Sequence, residues 1–100
     1  MGLVFKTGIA TSFGINDKYN PNEYAACLHR NLRETDHVVA HRTLPCGSTL
    51  IVFNPRTNKM TRATVGDRGP RSALVDLGYP VAKAIGLNGY EKVVLVYVKK

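Results

Sequence analysis

The sequence has no tryptophan and no long apolar run, and both absences narrow the classes of protein to consider. Apolar residues nowhere approach the roughly 18 consecutive positions that a membrane-spanning helix needs, so no membrane span is predicted. The first residues, "MGLVFKTGIATSFG", carry one lysine and lack a sustained apolar segment, so they do not match a secretory signal peptide. We therefore expect delivery without a leader, or a leader that has been removed.

Acidic residues are also scarce, since seven Asp and Glu face 14 Lys and Arg and the formal net charge is +7. Such a charge attracts polyanions, which include nucleic acid, anionic lipid and the carboxylates and phosphates of the bacterial wall. The basic residues are scattered, however, which equally fits a surface that keeps a protein in solution. Nucleic-acid binding is disfavoured, because few clustered aromatic side chains are present to stack on bases.

The chain of 100 residues suffices for one domain, and no repeat, low-complexity tract or Gly/Ser-rich linker divides residues 1–100. Apolar runs between turn residues predict short strands. These strands are predicted over 4–13, 38–41, 48–54, 59–65 and 92–98. The last run, "KVVLVYV", is almost wholly apolar, which predicts a central strand covered on both faces.

Two segments carry helical signals. "YPVAKAIGLNG" has Pro80 near its first turn and Gly86 as a stop, and this predicts the clearest helix. "EYAACLHRNL", residues 23–32, follows a proline and predicts a second, short helix. Five to six short strands with one or two short helices indicate a mainly β protein, and they fit a small closed barrel better than a parallel sheet.

Asp67 in "VGDRGPR" is the first candidate for catalysis. Gly66 and Gly69 have no side chains and leave room for a bulky ligand, while Pro70 stiffens the segment. Arg68 follows in an extended segment, where adjacent side chains point to opposite faces, so it need not pair with Asp67. The structural alternative is an Asp-x-Gly-Pro turn that the carboxyl caps through its own backbone bonds.

Five motifs follow one another along the chain: "GIATSFG", "AHRTLPCGSTLIVFN", "VGDRGPR", "LVDLG" and "AKAIGL". In this order they resemble the double-psi β-barrel domains of the rare lipoprotein A type, which are lytic transglycosylases that cleave bacterial peptidoglycan. Expansins and the barwin group are more distant relatives. The likeness runs from about Gly8 to Val98. It implies a six-stranded double-psi β-barrel with one or two short helices, a polysaccharide groove across one face, and no cofactor.

The resemblance also implies roles for individual residues. Asp67 matches the catalytic aspartate of an Asn-Asp-Arg-Gly-Pro motif, with Gly66 in place of the asparagine. His41 matches the histidine of an Ala-His-Lys/Arg-Thr-Leu-Pro motif and Asp76 the aspartate of an Asp-Leu motif, so both join the catalytic candidates. Thr11 matches a Thr or Ser of the first strand, and surface arginines suit anions through bidentate contacts. The substrate-binding candidates are Thr11, Arg68, Arg71 and Tyr19.

Cleavage of a glycosidic bond needs a proton on the leaving oxygen as positive charge develops on the sugar. In a lytic transglycosylase the C6 hydroxyl of the sugar replaces water, so one carboxyl can donate a proton and then accept one. Free Asp titrates near 3.9, so burial or a neighbouring negative charge must raise the pKa of Asp67. Asp76 supplies that charge or orients the loop, or else it is a structural cap. His41 hydrogen-bonds Asp67 or substrate, or else it is a half-buried structural histidine.

Two departures from the family pattern bear on activity and delivery. The family has a Gly-Glu pair shortly before the histidine motif, and here His29 or Arg30 falls at the glutamate position. Glu34 and Asp36 are the nearby acids that could replace it. The missing lipoprotein leader favours a domain carried on a bacteriophage particle, or delivered without a leader, over a resident lipoprotein.

Cys27 and Cys46 have three interpretations. Relatives with a cysteine before the histidine motif imply a disulfide, which would add about 3 kcal/mol of stability. Two buried thiols would fit a reducing compartment. A zinc site would have the order Cys-His-His-His-Cys over residues 27, 29, 37, 41 and 46, which fits no familiar ligand spacing. We expect no metal.

The motifs and the charge together predict a peptidoglycan lytic transglycosylase that acts on cell-wall glycan strands, with Asp67 as acid and base. The alternative, motivated by the missing glutamate, is a non-catalytic wall-binding protein of the expansin kind or a structural virion protein that keeps the barrel. The expected partners are glycan strands and neighbouring virion or cell-envelope proteins. Nucleic-acid binding ranks third, because only the charge supports it.

Overall fold

The computed structural model describes residues 2–18, 21 and 24–99, and its main feature is a closed six-stranded barrel. The elements are, in chain order, β1 (Gly2–Phe13), β2 (Tyr24–Ala25), β3 (Arg30–Asn31), β4 (Val38–Ala40), β5 (Thr49–Asn54), β6 (Lys59–Asp67), β7 (Val75–Gly78), α1 (Tyr79–Ala84) and β8 (Glu91–Lys99). The barrel order is β1-β7-β4-β6-β5-β8, and β1 closes it against β8. The prediction of a mainly β protein with a closed barrel is confirmed.

The barrel mixes two parallel strand pairs with four antiparallel pairs. β1 runs parallel to β7 and β4 runs parallel to β6, while the other neighbours are antiparallel. Parallel partners cannot be joined by a tight hairpin, so each pair unites segments distant in sequence. This pairing brings the end of β1 beside β7, and β4 beside the end of β6, where the candidate residues lie.

Small and branched apolar side chains fill the interior of the barrel, as the alternation of inward and outward residues along each strand requires. The interior cluster consists of Ala10, Val39, Leu50, Val52, Ala63, Val65, Val75, Leu77, Val81, Ala82, Ile85, Val93 and Leu95. α1 packs Val81 and Ala82 into this cluster; it begins with Pro80 in its first turn and ends before Gly86, as predicted. Helical structure within the described ranges is too short and too polar to cross a membrane.

A second apolar cluster covers the outer face of β4. Val38 and Ala40 alternate with the inward-facing Val39, so their side chains lie outside the barrel. The chain that follows β1 packs against them through Phe13, Ala25 and Leu32, with Ile15 and Leu28 at the edge. We call these residues the outer cluster, and it borders the carboxyl groups described below.

The helix predicted over residues 23–32 is wrong. The described part of this range forms the two-stranded sheet of β2 and β3, joined by a turn in which His29 has a φ of 55°. Tertiary contacts override the local helical preference. Ala25 is buried in the outer cluster, and the N–H of Cys27 donates to the carbonyl oxygen of Gly66 at 3.0 Å.

The prediction that the last strand is covered on both faces is also wrong. Val93 and Leu95 of β8 point into the barrel, as expected for alternate residues. The opposite face contributes to an open apolar groove lined by Phe5, Ile51, Phe53, Met60, Val94 and Val96. A closed barrel has one interior, so the other face of an all-apolar strand stays uncovered unless a further element packs on it.

A register shift at Gly66 decides the direction of Asp67. Val39 pairs with Val65 inside the barrel. The next pair is Ala40 with Asp67, which leaves Gly66 as an extra residue in β6. Simple alternation would place Asp67 on the inner face with Val65, but a bulge of this kind re-aims the following side chain. Asp67 therefore shares the outer face with Ala40.

The bulge predicts a specific sensitivity to substitution. A Cβ atom at Gly66 would lie 2.8 Å from Cγ1 of Val38, which is closer than two carbon atoms approach without displacement. We expect Gly66→Ala to lower the free energy of unfolding by about 1–3 kcal/mol, measured by urea denaturation. In a Val38→Gly background the same change should cost about 1 kcal/mol less, because Cγ1 at 2.8 Å and Cβ at 2.9 Å are both removed. Equal costs in both backgrounds would contradict this explanation.

Candidate active site

Four residues on neighbouring strands form one row across the outside of the barrel. Thr11 of β1 pairs with Asp76 of β7, Asp76 with Ala40 of β4, and Ala40 with Asp67 of β6. Residues directly opposite on paired strands point to the same face. Since strands lie about 4.8 Å apart, the two aspartate backbones are roughly 10 Å apart, with the methyl group of Ala40 between them. We call these four residues the carboxyl row.

Asp67 is the more buried carboxyl of the row, with 7% of its surface exposed. Its Oδ1 accepts two backbone hydrogen bonds, from the N–H of Ala26 at 3.0 Å and the N–H of Arg68 at 2.8 Å. Among the described residues no group donates to Oδ2. Both amide hydrogen bonds therefore converge on one oxygen of the carboxyl group.

Asp76 is partly buried, and its pKa is raised to about 6. Burial is the main cause, and the negative charges of Asp17 and Asp67 add to it. The hydroxyl of Thr11 donates to Oδ1 of Asp76 at 2.8 Å and acts in the opposite direction, because it stabilises the ionised form. Near pH 6 the carboxyl is divided between its two forms, which suits a group that gives or takes a proton.

Asp17 acts on this site although no sequence signal singled it out. It is buried, it accepts a hydrogen bond from the hydroxyl of Ser12, and its charge raises the pKa of Asp76. A cavity of about 580 Å³ beside it is lined by the loop after β1, by α1 and by residues 86–89. In the sequence Asp17 belongs to the turn-rich "GINDKYNPN", where aspartate is an ordinary turn residue.

His41 meets Asp67 through its backbone and not through its imidazole. Its N–H donates to the carbonyl oxygen of Asp67 at 3.1 Å. Its Nδ1 accepts the N–H groups of Thr43 at 3.2 Å and Leu44 at 3.1 Å. Burial and two neighbouring arginines lower the pKa of His41, so the ring is neutral at pH 7 with its proton on Nε2. A contact between Nε2 and substrate stays a prediction.

The side chains of Arg68 and Arg42 donate hydrogen bonds to other groups of the protein. The guanidinium of Arg68 donates to the carbonyl oxygens of His41 at 3.0 Å and Leu44 at 2.6 Å, and to Sγ of Cys46 at 3.2 Å. Arg42 donates to the carbonyl oxygens of residues 70, 71 and 73 at 2.9–3.2 Å. These bonds hold the loops on both sides of the site, a function that the spacing of arginines in a sequence does not reveal.

The other substrate-binding candidates are placed differently. Thr11 lies within the carboxyl row and donates to Asp76. Arg71 is exposed on the segment that Arg42 holds, where it is open to an anion. Tyr19 lies outside the described residues.

The acids considered as replacements for the family glutamate do not join the carboxyl row. The carboxylate of Asp36 accepts two hydrogen bonds from Arg30, at 2.8 and 3.0 Å, and one from the N–H of Arg33 at 2.7 Å. These contacts lower the pKa of Asp36. Glu34 is exposed on the same turn. Arg30, which stands near the position where the resemblance predicts a glutamate, thus pairs with Asp36.

Cys27 and Cys46 form a disulfide, with their Cα atoms 5.4 Å apart. Of the three interpretations of this pair, the structure has the disulfide, so neither sulfur is a free thiol or a zinc ligand. Across residues 2–18, 21 and 24–99, no three His, Cys, Asp or Glu side chains converge in a way that could hold a metal ion.

Asp76 makes the stability of the fold depend on pH. Its pKa rises from 3.8 to about 6 on folding, so its contribution is full below pH 4 and is lost as the pH rises through 6. A change of this size corresponds to about 3 kcal/mol, which screening at a partly exposed site reduces to about 2 kcal/mol. Relative to wild type, Asp76→Asn should gain about 2 kcal/mol of unfolding free energy between pH 4 and pH 7 in urea denaturation.

A matched variant tests whether Asp76 is the carboxyl responsible for this pH dependence of stability. Asp36→Asn makes the same chemical change at a carboxyl whose pKa is lowered, so it should show no such gain. A difference between wild type and Asp76→Asn that stays constant with pH would contradict the raised pKa.

No family model matches the chain, but three curated relatives do. The endolytic peptidoglycan transglycosylase RlpA of Pasteurella multocida is 33% identical over 86 residues, 84% of this chain. The protein of the same name from Haemophilus influenzae is 36% identical over 73 residues, 71% of this chain. The probable endolytic peptidoglycan transglycosylase RlpA of Nostoc sp. is 31% identical over 84 residues, 82% of this chain. The matches cover 28%, 21% and 22% of these proteins, so the chain spans about a quarter of their length.

The relatives and the fold agree with the motifs. The matched regions cover most of the chain, and the structure is a closed barrel of six strands with mixed parallel and antiparallel pairing. The chain therefore belongs with the rare lipoprotein A-like double-psi β-barrel domains.

Proposed function

We propose that the chain cleaves the glycan strands of bacterial peptidoglycan as a lytic transglycosylase. The carboxyl row carries this proposal, because it places a carboxyl with a pKa of about 6 and a second, tethered carboxyl on one outer surface. Relatives named endolytic peptidoglycan transglycosylases support the substrate and the reaction. The net charge of +7 favours a wall polymer that is rich in carboxylates and phosphates.

Asp76 donates the proton in this proposal. Ala40, between the two aspartates, is covered by the outer cluster, so the sugar to be cleaved approaches the row at the partly exposed Asp76. Asp76 protonates the glycosidic oxygen as the bond from C1 to that oxygen breaks and positive charge develops at C1. The raised pKa of Asp76 keeps the donor form abundant up to about pH 6.

Asp67 accepts the second proton. The C6 hydroxyl of the same sugar attacks C1, and Oδ2 of Asp67 takes the hydroxyl proton, which leaves a 1,6-anhydro end. The two N–H bonds to Oδ1 hold the carboxylate still while Oδ2 reacts. Proton exchange with water then restores both carboxyls. The sequence alone assigned both steps to Asp67, and we divide them because burial raises the pKa of Asp76 to about 6.

A non-catalytic wall-binding function is the second candidate, and the burial of Asp67 favours it. With 7% of its surface exposed and Oδ1 bound by two amides, Asp67 also fits the role of an aspartate that holds its own turn. The presence of Arg30 near the family glutamate position points the same way. Such a protein, on an envelope or a virion, would bind sacculi without cleaving them.

Digestion of purified sacculi, followed by mass spectrometry, tests the reaction. Wild type should release fragments with 1,6-anhydro ends, and the rate should fall as the pH rises through about 6, because Asp76 loses its proton. Asp67→Asn and Asp76→Asn should each lower the rate at least ~100-fold while the fold is kept. Asp36→Asn makes the same chemical change outside the carboxyl row and should cleave at the wild-type rate.

Two further results separate the alternatives. Suppose that wild type yields no product where a known transglycosylase works, and that Asp67→Asn binds sacculi as well as wild type does. The enzyme proposal would then be overturned in favour of wall binding. If Asp67→Asn alone is inactive and Asp76→Asn keeps the wild-type rate, both proton transfers belong to Asp67.

A further inference from the structure

Both residues that donate a hydrogen bond to Asp67 are connected to the disulfide. Ala26, whose N–H donates to Oδ1 of Asp67 at 3.0 Å, directly precedes Cys27. Arg68, whose N–H donates to the same oxygen at 2.8 Å, reaches Sγ of Cys46 with its guanidinium at 3.2 Å. The first donor is therefore next to Cys27 in the chain, and the residue that carries the second contacts Cys46 through its side chain.

The bridge also joins the two segments that flank the end of β6. On one side the N–H of Cys27 donates to the carbonyl oxygen of Gly66 at 3.0 Å, which docks the β2–β3 turn onto the bulge. On the other side the N–H of Gly47, next to Cys46, donates to the carbonyl oxygen of Val65 at 2.9 Å. The disulfide thus connects the segments on both sides of β6 at the end of the strand, where Asp67 lies.

The β2–β3 segment depends on such an attachment. It forms a two-stranded sheet of its own, separate from the barrel, and isolated two-stranded ribbons are marginally stable in water. Ala25 anchors the segment in the outer cluster, but the N–H of the next residue lies in the turn beyond that anchor. The disulfide restrains this turn at Cys27, the residue that directly follows Ala26.

We propose that Cys27 and Cys46 are positioning residues for the carboxyl row, because their disulfide fixes the Ala26 N–H and, through Arg68, the second donor to Asp67. Without the bridge the turn moves, Oδ1 loses a donor, and Oδ2 is no longer held toward the bound sugar. The catalytic consequence rests on the proposed function, whereas the structural consequence rests on the hydrogen bonds alone.

The test compares Cys27→Ser/Cys46→Ser with Val52→Ala, which controls for lost stability. Val52 is fully buried inside the barrel and contacts neither donor, so its truncation destabilises the fold without touching the carboxyl row. Reduction of wild type by dithiothreitol is a second route to the open form. Two electrons and two protons pass to the bridge, which yields two cysteine thiols and the cyclic disulfide of the reagent.

The double variant and the reduced protein should both lose the order of the turn. At a temperature where all forms are folded, the Ala26 amide should exchange its hydrogen at least ~10-fold faster than in Val52→Ala. The carboxyl carbon of Asp67 should also change its NMR chemical shift, because Oδ1 loses a hydrogen-bond donor. On sacculi, kcat should fall at least ~10-fold with KM unchanged, whereas Val52→Ala keeps the wild-type kcat.

A failure of the positioning role can be distinguished from a failure of the proposed reaction. Equal Ala26 exchange and an unchanged Asp67 carboxyl signal in the double variant and Val52→Ala would overturn the positioning role, leaving the disulfide as a stabilising cross-link. If wild type cleaves nothing, the proposed reaction fails, and the amide and carboxyl measurements still decide the positioning role by themselves.

Discussion

The pairing of β4 with its two neighbours is the constraint on which the candidate site depends. This strand is three residues long, yet it lies parallel to β6 on one side and antiparallel to β7 on the other. Through it the two aspartates join one row, with the small Ala40 between them. The shift in register at Gly66 turns Asp67 outward, and Val38 occupies the space that a side chain at Gly66 would need. The site is thus a product of strand register, and packing against β4 maintains that register.

The protonation of the row follows from its surroundings and not from the charge of the whole protein. A net charge of +7 would by itself favour ionised carboxylates, yet burial and two neighbouring acids raise the pKa of Asp76 to about 6. Two nearby arginines bind backbone carbonyl oxygens of the surrounding loops. They stabilise the shape of the site, while local desolvation sets its proton affinity.

Motifs and periodicity predicted much of the fold and named several residues of the site. The long strands, α1 and the closed mainly β barrel follow from apolar alternation and turn residues, which act between near neighbours and are visible in the chain. The order of the motifs identified four candidate site residues, which are Asp67, Asp76, Thr11 and His41. Local signals failed at residues 23–32, where burial of Ala25 and the disulfide override helical preference, and at β8, because a run of apolar residues does not show what lies outside a barrel.

The sequence by itself determined the element types, the order of the motifs and the chemical groups available to a site, because these depend on residues close together in the chain. Only the tertiary structure decided that Asp67 faces outward with one oxygen tethered, that the raised pKa belongs to Asp76, and that Asp17 contributes to it. Register, burial and the distance between charges arise where segments distant in sequence meet, so no local pattern encodes them.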